Sequence, residues 1–147
     1  MLFRSSVNGK AEDLGGNKVQ FGKGRFDSLH AYWDETMVEH LASTGKPEKL
    51  AAFLRKSLKP TAWKTPGDHR EWADAWATDS LHEAAQIYRG ITFNSAKMTA
   101  SGKSVESIDA DLAKDYEATQ KTRVQNQLAK AAFHLAELLN TIEWKVP

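Results

Sequence analysis

The sequence predicts a mainly α-helical fold: a helical bundle with a small β-hairpin near the N-terminus, in a single domain over residues 1–147. Apolar residues recur every three or four positions along four segments, which is the period of a helix with one buried face. Proline or glycine stands at the ends of these segments, where helices commonly begin and end. Hydrophobic residues make up 41% and charged residues 27% of the chain, which is typical of a globular domain.

The hairpin and the first helix are predicted from residues 18 to 45. Residues 18–21 and 25–26 flank a Gly-Lys-Gly sequence, and a glycine-containing connection of this length favours a short β-hairpin. Asp27 or Ser28 then offers a side-chain oxygen to cap a helix that we expect to run to about Ser43 and to stop at Gly45. The apolar stripe of this helix repeats every four residues: Leu29, Trp33, Met37 and Leu41.

Two further helices are predicted between residues 47 and 90. Pro47 suits the first turn of one of them, and we expect Pro60 to end it. The inward-facing positions of this helix are Leu50, Phe53, Leu54 and Leu58. The other helix opens at residues 65–68, reaches residue 88 or 89 and is followed by Gly90 as a C-terminal cap.

The last helix is predicted to be the longest. Polar, glycine-containing sequence at residues 94–103 indicates a loop before it. We expect the helix to run from Ile108 or Asp109 to Asn140. Its helical period is carried by apolar residues: Leu112, Tyr116, Val124, Leu128, Ala132, Leu135, Leu139 and Ile142.

Composition limits the classes of function. The chain carries 20 basic and 19 acidic residues, and a net charge of +1 gives no sign of the broad basic surface common in nucleic-acid-binding domains. It has no cysteine, which excludes disulfides and thiolate metal sites. No apolar run approaches the roughly 20 residues that span a bilayer. The first seven residues are too short and too polar for a signal peptide.

His30 and Asp34 are the candidate metal ligands. On a helix, side chains four residues apart share one face, with Cβ atoms about 5–6 Å apart, and imidazole and carboxylate are both good zinc ligands. Alternatively, the two side chains form no more than a hydrogen bond at the surface. A catalytic zinc site needs three protein ligands, and this pair supplies two. No other histidine stands at ligand spacing from a second one; the four are His40, His69, His82 and His134.

The Asp-Leu-Gly-Gly-Asn sequence at residues 13–17 is the candidate ligand-binding segment. Paired glycines before a strand commonly form a plain turn, because glycine accepts a positive φ without steric cost. Missing side chains at Gly15 and Gly16 would also let a ligand approach the backbone, with Asn17 offering both a donor and an acceptor. From the residues alone both interpretations stay open. The helical spacing of Trp72 and Trp76 favours packing over base stacking.

Four segments together resemble the C-terminal half of the S1/P1 nuclease family, zinc-dependent phosphodiesterases that act on single-stranded nucleic acid. Residues 12–19 are similar to the family's Asp-x-Gly-Gly-Asn turn and strand, and residues 28–34 to its Asn-Leu-His-x-x-Trp-Asp helix. Residues 76–80 resemble its Trp-Ala-x-Glu-Ser segment, followed by Ala84 and Tyr88. Residues 127–140 resemble its Ala-Gly-x-Arg-Leu-Ala-x-x-Leu-Asn helix. The four segments stand in the family's order.

This resemblance implies a zinc-dependent nuclease. In the family three zinc ions lie at the bottom of a cleft; by the resemblance His30 and Asp34 bind one of them, and Gly15 and Asn17 line a nucleoside pocket. Clustered zinc ions lower the pKa of a bound water and neutralise charge on the phosphoryl oxygens. The implied partners are single-stranded DNA or RNA and nucleotides, with no membrane partner, and the implied location is secreted or periplasmic.

The chain departs from the family pattern mainly in what it lacks. It has no N-terminal tryptophan whose amino group ligates zinc, no early histidine, and neither of the upstream Asp-His and His-rich ligand segments. Leu14 replaces a basic residue, Asp79 replaces a glutamate, and Ala132 and His134 replace a glycine and an arginine. We therefore expect a truncated chain with at most one partial zinc site, and the sequence assigns no catalytic residue.

An alternative to the nuclease is a non-catalytic helical remnant, or a subunit that needs a partner chain. Two side chains bind zinc loosely and leave no ion cluster to activate water. On this hypothesis an apolar face is exposed and promotes self-association. A third interpretation, a metal-free four-helix interaction domain, requires the motif match to be accidental.

Overall fold

The computed structural model describes residues 6–7, 11–22, 27–42, 46–56 and 59–142. These ranges are mainly helical and contain two small sheets, in agreement with the predicted α-rich class. No helix within them combines the length and the hydrophobicity that a bilayer crossing needs. The strands are β1 (Ser6–Val7), β2 (Ala11–Glu12), β3 (Val19–Gln20), β4 (Ile91–Met98) and β5 (Val105–Leu112).

Six α-helices make up about half of the described chain. They are α1 (Leu29–Ala31), α2 (Met37–Ala42), α3 (Pro47–Arg55), α4 (Pro60–Trp63), α5 (Trp72–Ile87) and α6 (Tyr116–Leu139). A π-helical segment, Tyr32–Thr36, joins α1 to α2 without a break, and we call residues 29–42 the first helix. A single 3-10 turn, His69–Glu71, leads into α5.

The first helix confirms its prediction. Ser28 caps it, since the Ser28 Oγ accepts a hydrogen bond from the Ala31 N–H over 3.1 Å. Leu29, Met37 and Leu41 of the predicted stripe are buried, and the fourth member, Trp33, is half-buried against the core. The three buried side chains attach the first helix to the core, so the residues between them are held in fixed positions.

The helix predicted from Pro47 is α3, and Pro47 begins it. Two details of that prediction are wrong. Pro60 does not end the helix, which stops at Arg55; Pro60 begins α4 instead, a position that suits a residue without an N–H. Phe53 does not face inward: its side chain is 38% exposed, because Leu50 occupies the contact with the core. Gly45 and Leu58 lie outside the described residues.

The third predicted helix is confirmed as the 3-10 turn followed by α5. Asp68 caps it, with its Oδ1 accepting a hydrogen bond from Arg70 N–H over 2.9 Å. Gly90 follows the helix with a φ of +83°, the left-handed conformation of a C-terminal cap. Trp72 and Trp76 pack with ring centroids 5.8 Å apart, as their spacing predicts.

The prediction for residues 94–112 is wrong. Most of these residues form a hairpin in which β4 pairs antiparallel with β5, and the last helix begins only at Tyr116. Ile108, Leu112 and Tyr116 fit a four-residue helical period, yet the first two also fit the two-residue period of a strand. Residues 105–112 form a strand and not a helix, because they pair with both β3 and β4. Buried and exposed residues alternate along much of this strand.

The strand predicted at residues 18–21 exists as β3, but its sheet partner is different. β3 pairs in parallel with β5, with Val19 opposite Ile108, and the sheet has the order β3-β5-β4. The predicted partner, residues 25–26, lies outside the described residues. An antiparallel bridge joins Gln20 to Ser28. The hairpin of the three-stranded sheet therefore lies in the middle of the chain; nearer the N-terminus, β1 and β2 form a separate antiparallel pair.

Two apolar clusters hold the elements together. One lies between the sheet, the start of the first helix and the start of α6: Val19, Leu29, Val105, Ile108, Ala110 and Tyr116. The other lies between the first helix and α6: Met37, Leu41 and Val124. Tyr32 and Trp33 pack against both clusters, so the segment that carries the candidate ligands lies between them.

Candidate functional site

His30 and Asp34 meet on the first helix as their spacing predicts. His30 lies in the first turn after the Ser28 cap, and Asp34 lies in the π-helical segment. The His30 Nε2 is 3.1 Å from the Asp34 Oδ2, and the two side chains are 35% and 60% exposed. Both polar groups are therefore within reach of a ligand. π-Helical turns are rare overall, but many of those that occur lie at functional sites. Nothing in the sequence indicated this one.

The Gly15 carbonyl orients the His30 ring. The ring Nδ1 lies 3.2 Å from that oxygen, and because a carbonyl only accepts, Nδ1 carries the proton. In a neutral imidazole Nε2 then presents a lone pair to the Asp34 carboxylate. Two acceptor atoms at 3.1 Å attract each other only through a proton or a cation between them. A histidine held through one nitrogen, with the other free to coordinate, is the usual arrangement of a metal ligand.

The donor pair fits zinc in type and spacing. Two ligand atoms about 2.0 Å from a tetrahedral zinc ion are about 3.3 Å apart, close to the 3.1 Å between His30 and Asp34. A catalytic zinc ion needs a third protein ligand. In the part of the chain that the structure describes, no group of three or more histidine and carboxylate side chains could hold a metal. The pair is therefore at most part of a complete site.

The turn at residues 13–17 packs directly against the first helix. Leu14, Gly15 and Gly16 adopt φ angles of +54°, +66° and +87° in succession. A Cβ on Gly16 would lie 3.1 Å from the His30 backbone nitrogen and 3.2 Å from Leu29 Cβ, so the close approach and the positive φ together favour glycine here. The Gly16 carbonyl also accepts a hydrogen bond from the His30 N–H over 3.3 Å. The predicted turn is present, and it positions His30.

Asp13 and Tyr88 stabilise the turn through a contact that the sequence did not predict. The Asp13 side chain is fully buried. Its Oδ1 accepts a hydrogen bond from the Gly15 N–H over 3.0 Å, and its Oδ2 accepts one from the Tyr88 hydroxyl over 2.5 Å. An aspartate two residues before a glycine is a known turn signal, which could have revealed the first bond. The second joins residues 75 positions apart, and no local pattern reveals it.

A pocket opens where the first helix, the turn and α5 meet. Its lining residues are Gly15, Leu29, His30, Trp33, Asp34, Ala84, Ile87 and Tyr88. Three of the four predicted site residues therefore come together here. Asn17 is not part of this lining; its side chain is exposed and donates a hydrogen bond to the Leu14 carbonyl over 2.8 Å.

The pocket continues into a wider groove between the first helix, α5 and α6. Trp33 and Asp34 line both. Arg123 of α6 lines the groove, where its guanidinium binds the Glu83 carboxylate and, over 3.0 Å, the Gln120 side-chain oxygen. Sequence reasoning missed Arg123, because its neighbours depend on how α5 and α6 pack.

The comparisons with known proteins bear directly on this site. A model of the family described as S1/P1 Nuclease matches residues 6–143, which include the turn, the first helix and the groove. The chain belongs to the S1/P1 nuclease family. No curated protein and no solved structure matches it. The substrate class of this nuclease family is nucleic acid, and its members are, in general, zinc-dependent and secreted.

Two tyrosines support the candidate site of this S1/P1 nuclease family member. The buried Tyr116 hydroxyl donates to the Ile87 carbonyl over 2.8 Å and accepts from Trp33 Nε1 over 3.0 Å. Burial raises the pKa of Tyr116 well above its ordinary value. Burial and the Glu117 carboxylate raise the pKa of Tyr32, whose hydroxyl donates to Glu117 over 3.3 Å. Both phenols are therefore neutral near pH 7.

The other histidines of the S1/P1 nuclease chain have structural neighbours of their own. The His134 ring stacks on Trp76 with centroids 4.8 Å apart, and its Nε2 lies 3.1 Å from the Trp63 carbonyl. These contacts give His134 a packing role between Trp63 and Trp76. His40 and His69 each lie beside a carboxylate. No described histidine thus joins His30 as a further ligand.

Proposed function

We propose that this S1/P1 nuclease family member takes part in zinc-dependent hydrolysis of phosphodiester bonds in single-stranded nucleic acid, as an endonuclease or 3′-nucleotidase. The observation that carries the proposal is the 3.1 Å approach of His30 Nε2 to Asp34 Oδ2 at the wall of a pocket. Zinc held by these two atoms would act as a Lewis acid toward phosphoryl oxygens. In this proposal the described residues supply part of the metal site.

The protein's own groups prepare the pocket for this chemistry. The Gly15 carbonyl holds the His30 ring with Nε2 directed toward Asp34. Trp33 and Ile87 form apolar walls, which displace water and strengthen electrostatic interactions inside the pocket. The Tyr116 hydroxyl fixes both walls, because it binds the Trp33 indole and the Ile87 carbonyl.

Gly15 and Asn17 are the proposed contacts to a nucleoside. Gly15 reaches the pocket with no side chain, so a flat base or a sugar can approach its backbone closely. The exposed Asn17 side chain donates to Leu14 and keeps a carboxamide oxygen that can accept from a base or hydroxyl. A pocket that takes one base favours a single strand, whose bases are free of pairing.

The test is zinc affinity together with cleavage of single-stranded DNA by the purified protein. We expect His30→Ala and Asp34→Ala each to lower zinc affinity at least tenfold. Removing a residue that only orients a metal ligand already lowers metal affinity by tenfold or more, and these two variants remove the proposed ligands themselves. His82→Ala is the matched control, because His82 is exposed on α5 and lies outside the pocket. Equal zinc affinity and equal cleavage in His30→Ala and His82→Ala would reject the proposal.

A second candidate function is a non-catalytic helical subunit that needs a partner chain. Large apolar side chains are exposed on α5 and α6, with Leu81 59%, Leu135 57% and Leu139 43% accessible. Exposed apolar patches commonly mark protein interfaces. Sedimentation of wild type and of Leu135→Glu tests it, with self-association expected in the wild type and reduced in the variant. A monodisperse monomer that cleaves single-stranded DNA would contradict it.

A further inference from the structure

The near-neutral total charge conceals a strong separation of charge along the chain. Residues 46–64 carry six basic residues and one acidic residue, whereas the rest carries 14 basic and 18 acidic residues. The six form what we call the basic surface: Lys46, Lys49, Arg55, Lys56, Lys59 and Lys64. All six are exposed, and none forms an ion pair with a side chain that the structure describes.

Part of the basic surface follows one face of α3. Lys49, Phe53 and Lys56 stand four and three residues apart, a spacing that places side chains on the same side of a helix. Lys49 and Lys56 are about 10 Å apart along the helix axis. The Phe53 ring lies between them and is 38% exposed. Cations along a phosphate backbone, with an aromatic ring under a base, are how proteins bind single-stranded nucleic acid.

The apolar face of α3 that includes Leu50 argues against an anionic membrane as the partner. Leu50 packs against the apolar cluster of Met37, Leu41 and Val124, so this apolar face is used inside the protein. A helix that binds a bilayer must bury its apolar face in lipid. With nine residues and only Phe53 of its large apolar side chains classed as exposed, α3 keeps little to insert.

The basic surface adjoins the helix that leads to the candidate site. α3 packs against α2, which continues the helical segment that carries Asp34. The basic surface and the candidate site therefore belong to neighbouring elements of the fold.

We propose that the basic surface and Phe53 bind the phosphate backbone and one base of single-stranded nucleic acid, outside the pocket of His30 and Asp34. This proposal rests on the proposed function in one respect: it takes single-stranded nucleic acid as the ligand. Binding at the basic surface requires neither zinc nor cleavage.

The experiment measures fluorescence anisotropy of labelled twelve-nucleotide oligothymidylate with the full chain in EDTA. The test variant is Lys49→Gln with Lys56→Gln. The matched control is Lys103→Gln with Lys114→Gln, which removes equal charge from exposed lysines outside residues 46–64. We expect Kd to rise at least tenfold at low salt in the test variant and to stay within twofold in the control. The salt slope should fall by about 1.4, at about 0.7 for each phosphate that a lysine no longer neutralises.

Phe53→Ala separates base stacking from charge. We expect it to raise the Kd for oligothymidylate about fivefold or more while leaving the salt slope unchanged. With an abasic oligonucleotide of equal length the same variant should bind as wild type does. Circular dichroism and thermal unfolding of every variant confirm that the fold is kept, and Phe53 is exposed enough for the truncation to be tolerated.

Equal Kd values for the two lysine double variants, or no binding of oligothymidylate by wild type, would overturn the proposal. Binding of phosphatidylserine vesicles that needs Lys49 and Lys56, without binding of oligothymidylate, would overturn it in favour of a membrane. Failure of the proposed function is distinguishable from these results. A chain without zinc or cleavage that still binds oligothymidylate through these lysines rejects the catalytic proposal and supports this one.

Discussion

The Trp33 indole N–H donates a hydrogen bond to the Tyr116 hydroxyl over 3.0 Å, and this contact joins residues 83 positions apart. The same hydroxyl donates to the Ile87 carbonyl over 2.8 Å. One buried oxygen therefore connects the first helix, α5 and α6 around the pocket. Water cannot easily replace it, because Tyr116 is only 2% exposed.

Tyr116→Phe should destabilise the protein by about 2 kcal/mol, because it leaves the Trp33 N–H and the Ile87 carbonyl without this partner. Tyr32→Phe is the matched control and should cost less than about 1 kcal/mol, since its single bond to Glu117 is long and partly exposed. Urea unfolding followed by circular dichroism measures both. Equal losses of unfolding free energy in the two variants would show that the Tyr116 hydroxyl contributes no more to stability than the Tyr32 hydroxyl does.

Alkaline pH should destabilise the protein through Tyr116. Burial raises its pKa in the folded state, so the neutral phenol contributes stability that is fully present below the ordinary pKa of about 10 and is lost as pH rises above it. In an absorbance titration at 295 nm, Tyr116 should ionise only together with loss of the fold. Tyr116→Phe should remove that late ionisation. A single ionisation step near pH 10 for all three tyrosines, with the fold intact, contradicts this expectation.

Gly16→Ala should cost at least about 2 kcal/mol, because the position combines a left-handed backbone with a close approach to His30. Gly102→Ala separates the two effects: its φ is +66°, but an added Cβ meets nothing within 4 Å, so about 1 kcal/mol is expected. Chemical denaturation gives the free energies of unfolding. If Gly16→Ala lowers the free energy of unfolding no more than Gly102→Ala does, close packing against His30 and Leu29 does not explain the glycine at position 16.

Asp79→Asn should destabilise the protein by about 1–2 kcal/mol. The Lys130 ammonium lies 2.9 Å from both Asp79 oxygens, and its side chain is only 16% exposed, so the variant leaves a partly buried charge without its partner. Glu106→Gln removes an exposed pair with Lys97 and should change stability by less than about 0.5 kcal/mol. Thermal unfolding of both variants tests the difference, and similar melting temperatures would contradict it.

Local signals were sufficient where a helix carries its own boundary residues. Ser28, Pro47 and Gly90 mark helix ends in the sequence and occupy those positions in the structure. The signals failed at Ile108, where helical and strand periods coincide and the choice depends on β3, some 90 residues earlier. They failed again at Phe53, whose exposure depends on which side of α3 meets the core.

The candidate site divides in the same way. The four-residue spacing of His30 and Asp34 and the paired glycines at 15 and 16 are local, so the sequence by itself determined a histidine–carboxylate pair on one helix face and a turn. Tertiary packing alone decided that the Gly15 carbonyl meets the His30 ring and that Asp13 binds Tyr88. Those contacts join residues distant in sequence, and their geometry follows from how the turn, the first helix and α5 share one core.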